Sequence, residues 1–169
     1  MIVPEDGDAY IVSQSQKQCK QPSAMKKMPP LEKVYEAWTA IIDNRVSLFE
    51  DYALVSSSDG AKKYTVRFEG DTYSSDDNAT YWRGYPGYPV LAVLMLQGKL
   101  PYNKEEAEKF GKINWTETNK KFKNNYSAAV EYVEKERDID SGKASEAANK
   151  VMEALENLPL TIKRKIKVV

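Results

Sequence analysis

Apolar positions along the chain follow distinct rhythms, and each rhythm predicts an element. Leu31, Val34, Tyr35, Trp38, Ile41 and Ile42 recur at helical spacing behind Pro30 and run out at Asp43 and Asn44, which predicts an amphipathic helix. Between residues 50 and 69 the rhythm becomes alternation. With a two-residue type I′ turn at Asp59 and Gly60, Val55 falls opposite Tyr64 and Ala53 opposite Val66. Ala53, Val55, Tyr64, Val66 and Phe68 then share one face, while Lys63, Thr65 and Arg67 share the other. Residues 72–75 can add a third strand behind a turn at Gly70 and Asp71.

The most apolar run, residues 90–96, follows a lead-in of four aromatics, one arginine, two glycines and two prolines at residues 81–89. Seven residues are too few for periodicity to separate buried strand from buried helix. Pro89 at a first helical position and Gly98 at a stop favour helix. Asn78 is the expected cap of a short turn carrying Tyr81 and Trp82. Asn103 with Glu106, and Asn114 with Glu117, have the spacing of N-caps with an acidic residue in the first turn. The first opens a helix stopped by Gly111. The second opens a longer one with Trp115, Phe122, Tyr126, Ala129, Val130 and Val133 inward. A break at residues 138–142 precedes a last helix through Ala144, Ala147, Ala148, Val151, Met152, Leu155 and Leu158, closed by Pro159. The tail, residues 160–169, alternates Ile162, Ile166 and Val168 with Lys163, Lys165 and Lys167, which reads as a half-buried strand.

Together these elements predict an α+β fold in a single domain, residues 1–169. A small antiparallel sheet, made of the hairpin and the tail strand, packs against about five helices. The order is an N-terminal strand and polar loop (1–30), helix plus hairpin (31–75), a helical half (76–159) and the tail strand (160–169).

Composition narrows the chemistry. Lys plus Arg and Asp plus Glu both number 25, so the formal net charge is zero and no global field draws the chain to nucleic acid or an anionic membrane. There is no histidine, which removes the commonest neutral-pH base and metal ligand, and with it Ser-His-Asp, Cys-His and His-zinc chemistry. The single cysteine, Cys19, permits no internal disulfide and has no histidine partner. Residues 1–8 carry Glu5, Asp6 and Asp8 and no apolar core, so no signal peptide is expected, and a cytoplasmic location is. The apolar run is too short to span a bilayer.

The candidate sites are few. Tyr81, Trp82, Arg83, Tyr85 and Tyr88 have the makeup of a contact hot spot or a stacking surface, although the same aromatics can simply cover the end of a core. Asn119, Lys120, Lys121 and Lys123 would face outward from the second of two short helices, as nucleic-acid contacts do. Lys163, Lys165 and Lys167 would do so from the tail, where edge-strand lysines that block aggregation are the plainer account. Asp71, Asp76 and Asp77 are the one weak metal candidate, set against ordinary turn chemistry. No cofactor is expected.

The function class expected is therefore a non-catalytic binding module. Its partner would be a protein, a second copy of the chain or, less in keeping with the neutral charge, nucleic acid. The alternative is a histidine-independent enzyme using a carboxylate or metal cluster on a small polar or phosphorylated substrate.

Overall fold

In the computed structural model of the chain, which describes residues 27–165, the apolar rhythms resolve into a layered α+β fold. The expected strand at residues 9–13, the polar loop after it up to residue 26 with Cys19, and the tail positions Ile166, Lys167 and Val168 lie outside the described residues. Helix α1 (Glu32–Ile42) is followed by strands β1 (Val46–Leu48), β2 (Tyr52–Ser56), β3 (Lys63–Glu69) and β4 (Thr72–Ser75). A single π-helical turn (Ala79–Arg83) leads into α2 (Tyr88–Leu96), α3 (Lys104–Glu108), α4 (Trp115–Lys121), α5 (Tyr126–Arg137) and α6 (Ser141–Asn157). The described chain closes with strand β5 (Thr161–Ile162).

The sheet corrects the expected one. Among the described residues it has five strands in the order β1-β2-β3-β4-β5, an antiparallel meander of four to which β5 adds in parallel, pairing Thr72 with Thr161 and Tyr73 with Ile162. The hairpin register is the predicted one, Ala53 opposite Val66 and Val55 opposite Tyr64. The turn is not type I′. Only Gly60 has positive φ (76°), its N–H donates to the Ser57 carbonyl, and Asp59 uses its carboxylate on the Ser57 hydroxyl and the Ala61 N–H instead.

Helix α2 lies between the sheet and α1, which is why it is apolar on every side: Val90 to Leu94 are wholly buried. Tyr88 begins it, one residue before the expected Pro89, which lies in the first turn, and Gly98, at φ 77°, ends it. Helix α1 packs in turn on α2, α3, α5 and α6. Trp38, Tyr35 and Phe110 form an aromatic knot inside, with Tyr35 and Phe110 ring centroids 4.9 Å apart. Gly111 serves close approach as well as helix termination, since a Cβ there would stand 2.9 Å from Ile42 Cγ2.

The long helix expected from Asn114 is two helices. Lys123 and Asn124 take left-handed conformations, and Asn125 caps a fresh start by accepting from the Ala128 N–H at 3.1 Å. Asn103 and Asn114 cap as expected. Asn78 does not: Asp77 accepts from the Thr80 N–H (3.0 Å) and hydroxyl (2.8 Å), and Thr80 Oγ1 in turn accepts from the Gly87 N–H (2.9 Å). Among the described residues no helix is long and apolar enough to cross a membrane.

That Asp77–Thr80–Gly87 network leaves no room for a side chain at Gly87, where a Cβ would lie 2.2 Å from Asp77 Oδ1. Gly87→Ala should therefore destabilise the fold by about 1–3 kcal/mol. Urea denaturation checks this as a lower midpoint at unchanged slope. An unchanged midpoint would show that the network yields freely.

Candidate functional site

Helix α1 is enclosed so completely that Lys33 to Ala40 are all buried, the charged Lys33 (9% exposed) and Glu36 (5%) included. Lone charges do not survive such burial, so the structure brings them partners. Lys33 Nζ lies 3.3 Å from Glu36 Oε2, one turn along the helix, and 4.2 Å above the Tyr126 ring. Asn119 Nδ2 approaches the same carboxylate oxygen at 3.4 Å.

This pair forms the floor of a cavity of about 320 Å³, at the meeting of the sheet end, α1, the π-helical turn, α4 and α5. Arg45 and Arg83 add two more cations to its lining, and Asp77 a second carboxylate. Tyr64, Tyr85, Tyr88, Trp115 and Tyr126 bring rings, and Asn78, Asn119 and Asn124 bring amides. The lining is braced from behind. Trp115 Nε1 donates to Thr39 Oγ1 at 2.8 Å, tying α4 to α1, and the Thr116 N–H donates to Ser58 Oγ at 2.9 Å, tying α4 to the hairpin loop.

The electrostatics favour an anion. Asp77 is committed to the π-helical turn and Glu36 to Lys33; Arg45 donates through Nη1 to the Ser56 carbonyl at 2.5 Å, while its buried Nε has no hydrogen-bond partner among the described residues and lies 3.9 Å from the Asp43 carboxylate. Burial pushes the Glu36 carboxyl above the usual carboxylate range, with Lys33 and Asn119 pulling only partly against it. Burial also works against the Lys33 charge, but Glu36 and Tyr126 together outweigh it and hold the amine above its ordinary value. The phenols of Tyr64, Tyr85 and Tyr88 are all raised, chiefly by burial, so they stay neutral donors.

The structure divides the residues singled out in the sequence. Arg83, Tyr85 and Tyr88 line the cavity, while Tyr81 and the exposed Trp82 lie at the other side of the π-helical turn, under Arg164. Asn119 enters the cavity. Lys121 lies 4.3 Å over the Tyr132 ring, and Lys120 and Lys123 are exposed. Lys163 and Lys165 are exposed beside Arg164, and Lys167 falls outside the described residues. Asp71 faces Lys99 at 3.9 Å, Asp76 accepts from the Thr65 N–H, and Asp77 holds the turn. Among the described residues no three His, Cys, Asp or Glu side chains converge as a metal site.

The sequence reading missed Lys33, Glu36, Arg45, Tyr64 and Tyr126. Lys33 and Glu36, three apart, read as an ordinary solvated pair. The available signal was their company, since Ala37 and Ala40 on the same side of α1 are small residues of the kind a packed second face requires.

A model of the family described as uncharacterised conserved protein UCP014422 matches residues 26–161, and the chain belongs to that family. The matched span includes every residue that lines the cavity. No curated protein and no solved structure matches the chain.

A carboxyl whose pKa rises on folding stabilises the fold fully below its unfolded value and loses that contribution as pH climbs through the folded one. The stability of the wild type minus that of Glu36→Gln should therefore fall as pH rises above about 4.3. Urea denaturation of both proteins between about pH 4 and pH 7 measures the difference. A difference that grew with pH would mean that pairing with Lys33 outweighs burial at Glu36.

Proposed function

We propose that this chain is a binding module whose ligand is a small anionic polar molecule, seated in the cavity above Lys33 and Glu36. The observation that supports this most directly is the charge inventory of a partly open, ring-walled space. Its lining holds three cations against two carboxylates: Lys33 pairs with Glu36, Asp77 is bonded within the π-helical turn, Arg45 keeps one buried N–H without an acceptor, and Arg83 stands exposed at the rim. Phosphate or carboxylate groups match arginine donors in geometry as well as charge, and the neutral phenols and amides around them supply hydrogen bonds for the rest of a polar ligand. The volume suits a metabolite and excludes a folded partner. In this reading the expected binding module takes a small molecule at this site, in place of a macromolecule.

The alternative, a histidine-free enzyme, draws on one specific feature. A carboxyl held above its ordinary range beside an amine and several phenols is suited to moving a proton at a bound substrate. Following the bound compound by NMR during incubation separates the two readings, since a pure binding module returns it unchanged.

Thermal unfolding in the presence of phosphate, phosphorylated sugars and small dicarboxylates tests the proposal. A ligand at a hundred times its Kd adds about 2.7 kcal/mol, which for a chain of this size raises Tm by roughly 5–10 °C. Anionic compounds should raise Tm, their neutral counterparts should not, and Arg83→Gln at the exposed rim should weaken the response. Equal responses to charged and neutral compounds, or none up to about 10 mM, would refute it.

A further inference from the structure

The other side of the π-helical turn carries an independent feature. Two stretches 81 and more residues apart in the chain, the aromatic pair at 81–82 and the basic tail at 163–165, are brought into contact. Arg164 stacks over both rings, its guanidinium carbon 5.2 Å from the Tyr81 centroid and 5.3 Å from that of Trp82, and its Nε donates to the Tyr81 carbonyl at 3.3 Å. The two rings meet edge to face at 4.7 Å, which fixes their planes. Trp82 is nevertheless 67% exposed, the most exposed large apolar side chain among the described residues, while Trp38 and Trp115 are buried.

Beside Tyr81 runs an open groove of about 400 Å³ lined by Arg67, Arg164 and Lys165, with Ser74, Ser75 and Thr65 between them. Lys163 continues the basic run. The groove's one carboxylate, Asp76, accepts from the Thr65 N–H and so is partly engaged. This is a cationic track beside a rigid, exposed indole on a chain whose overall charge is zero, so the field is local to this face.

We infer that this face binds single-stranded nucleic acid, a base stacking on Trp82 while the phosphates follow Arg164, Lys165 and Arg67. A single strand offers both components, phosphates for a basic groove and free base faces for an aromatic ring, whereas a duplex offers the phosphates alone because its bases are already stacked. An acidic peptide would satisfy the cations but leave the indole without a flat partner. The inference does not depend on the cavity, which shares no lining residue with the groove.

Titration of the whole chain with oligomers of about 15 nucleotides, poly(dT) and poly(rU), tests it by two readouts. Tryptophan emission should be quenched, and Trp82 is the one tryptophan placed to report it. Labelled-oligomer anisotropy should weaken with salt at a log–log slope of about −2, as expected for three neutralised phosphates on a single strand, or about 15-fold between 50 and 200 mM. Trp82→Ala should lose about 5- to 100-fold in affinity, and Trp82→Phe should retain most of it. Arg164→Gln should both weaken binding and flatten the slope. Circular dichroism confirms that each variant is folded. Unquenched emission, unchanged affinity in Trp82→Ala, or a duplex binding as tightly as the single strands would overturn the inference; in the first case the face is left to a protein partner.

Discussion

A helix surrounded on every side has nowhere to send its polar residues, and α1 is such a helix. Its tryptophan side meets the aromatic knot with Phe110, which any core would accept. Lys33 and Glu36 are the constraint. Removing two charges from water costs several kcal/mol per ion, and one attraction at 3.3 Å does not by itself offset that. The fold supplies the remainder from distant segments, with the Tyr126 ring from α5 and the Asn119 amide from α4. An apolar pair of similar size would hold α1 at least as well, so stability alone does not explain these residues. The proposed anion site would give both a use.

The segment at 81–89 links this site to the rest of the molecule. Asp77 and Thr80 fix a π-helical turn that holds Tyr81 and Trp82 against Arg164 and brings Arg83, and after it Tyr85 and Tyr88, to the cavity. Pro89 then commits the chain to α2, which joins the sheet to α1. One short irregular stretch thus separates a polar cavity from a basic groove. Irregular backbone of this kind is where functional side chains are commonly carried on a rigid scaffold.

Much of the fold could be read from the residues because local chemistry and burial agreed. The 3.6-residue rhythm of α1, the β2–β3 register, the Pro89 and Gly98 bounds of α2 and the Asn103 and Asn114 caps are of this kind. What escaped was set by tertiary pairing. Strand β1 is a three-residue edge with Leu48 exposed, so it shows no alternation, and β5 is two residues whose parallel pairing exists only because α6 returns the chain to β4. The break at Lys123 and Asn124 looked like a continuing helix because Phe122 and Tyr126 keep the spacing across it. For the site, the aromatic stretch was visible as unusual, but its division between two surfaces was not. The Lys33–Glu36 floor was hidden because three-residue spacing of opposite charges is commonplace on solvated helices, and only the wrapping of α1 distinguishes this instance.

The central claim is that the buried Lys33–Glu36 pair floors an anion-accepting ligand site. A crystal structure of the protein soaked in low-millimolar phosphate tests it most directly. The account predicts anion density inside the cavity within hydrogen-bonding reach of Lys33 or Arg45, with Arg83 turned toward it from the rim. A cavity without density while phosphate binds elsewhere, or a Lys33 side chain swung out into solvent, would contradict it.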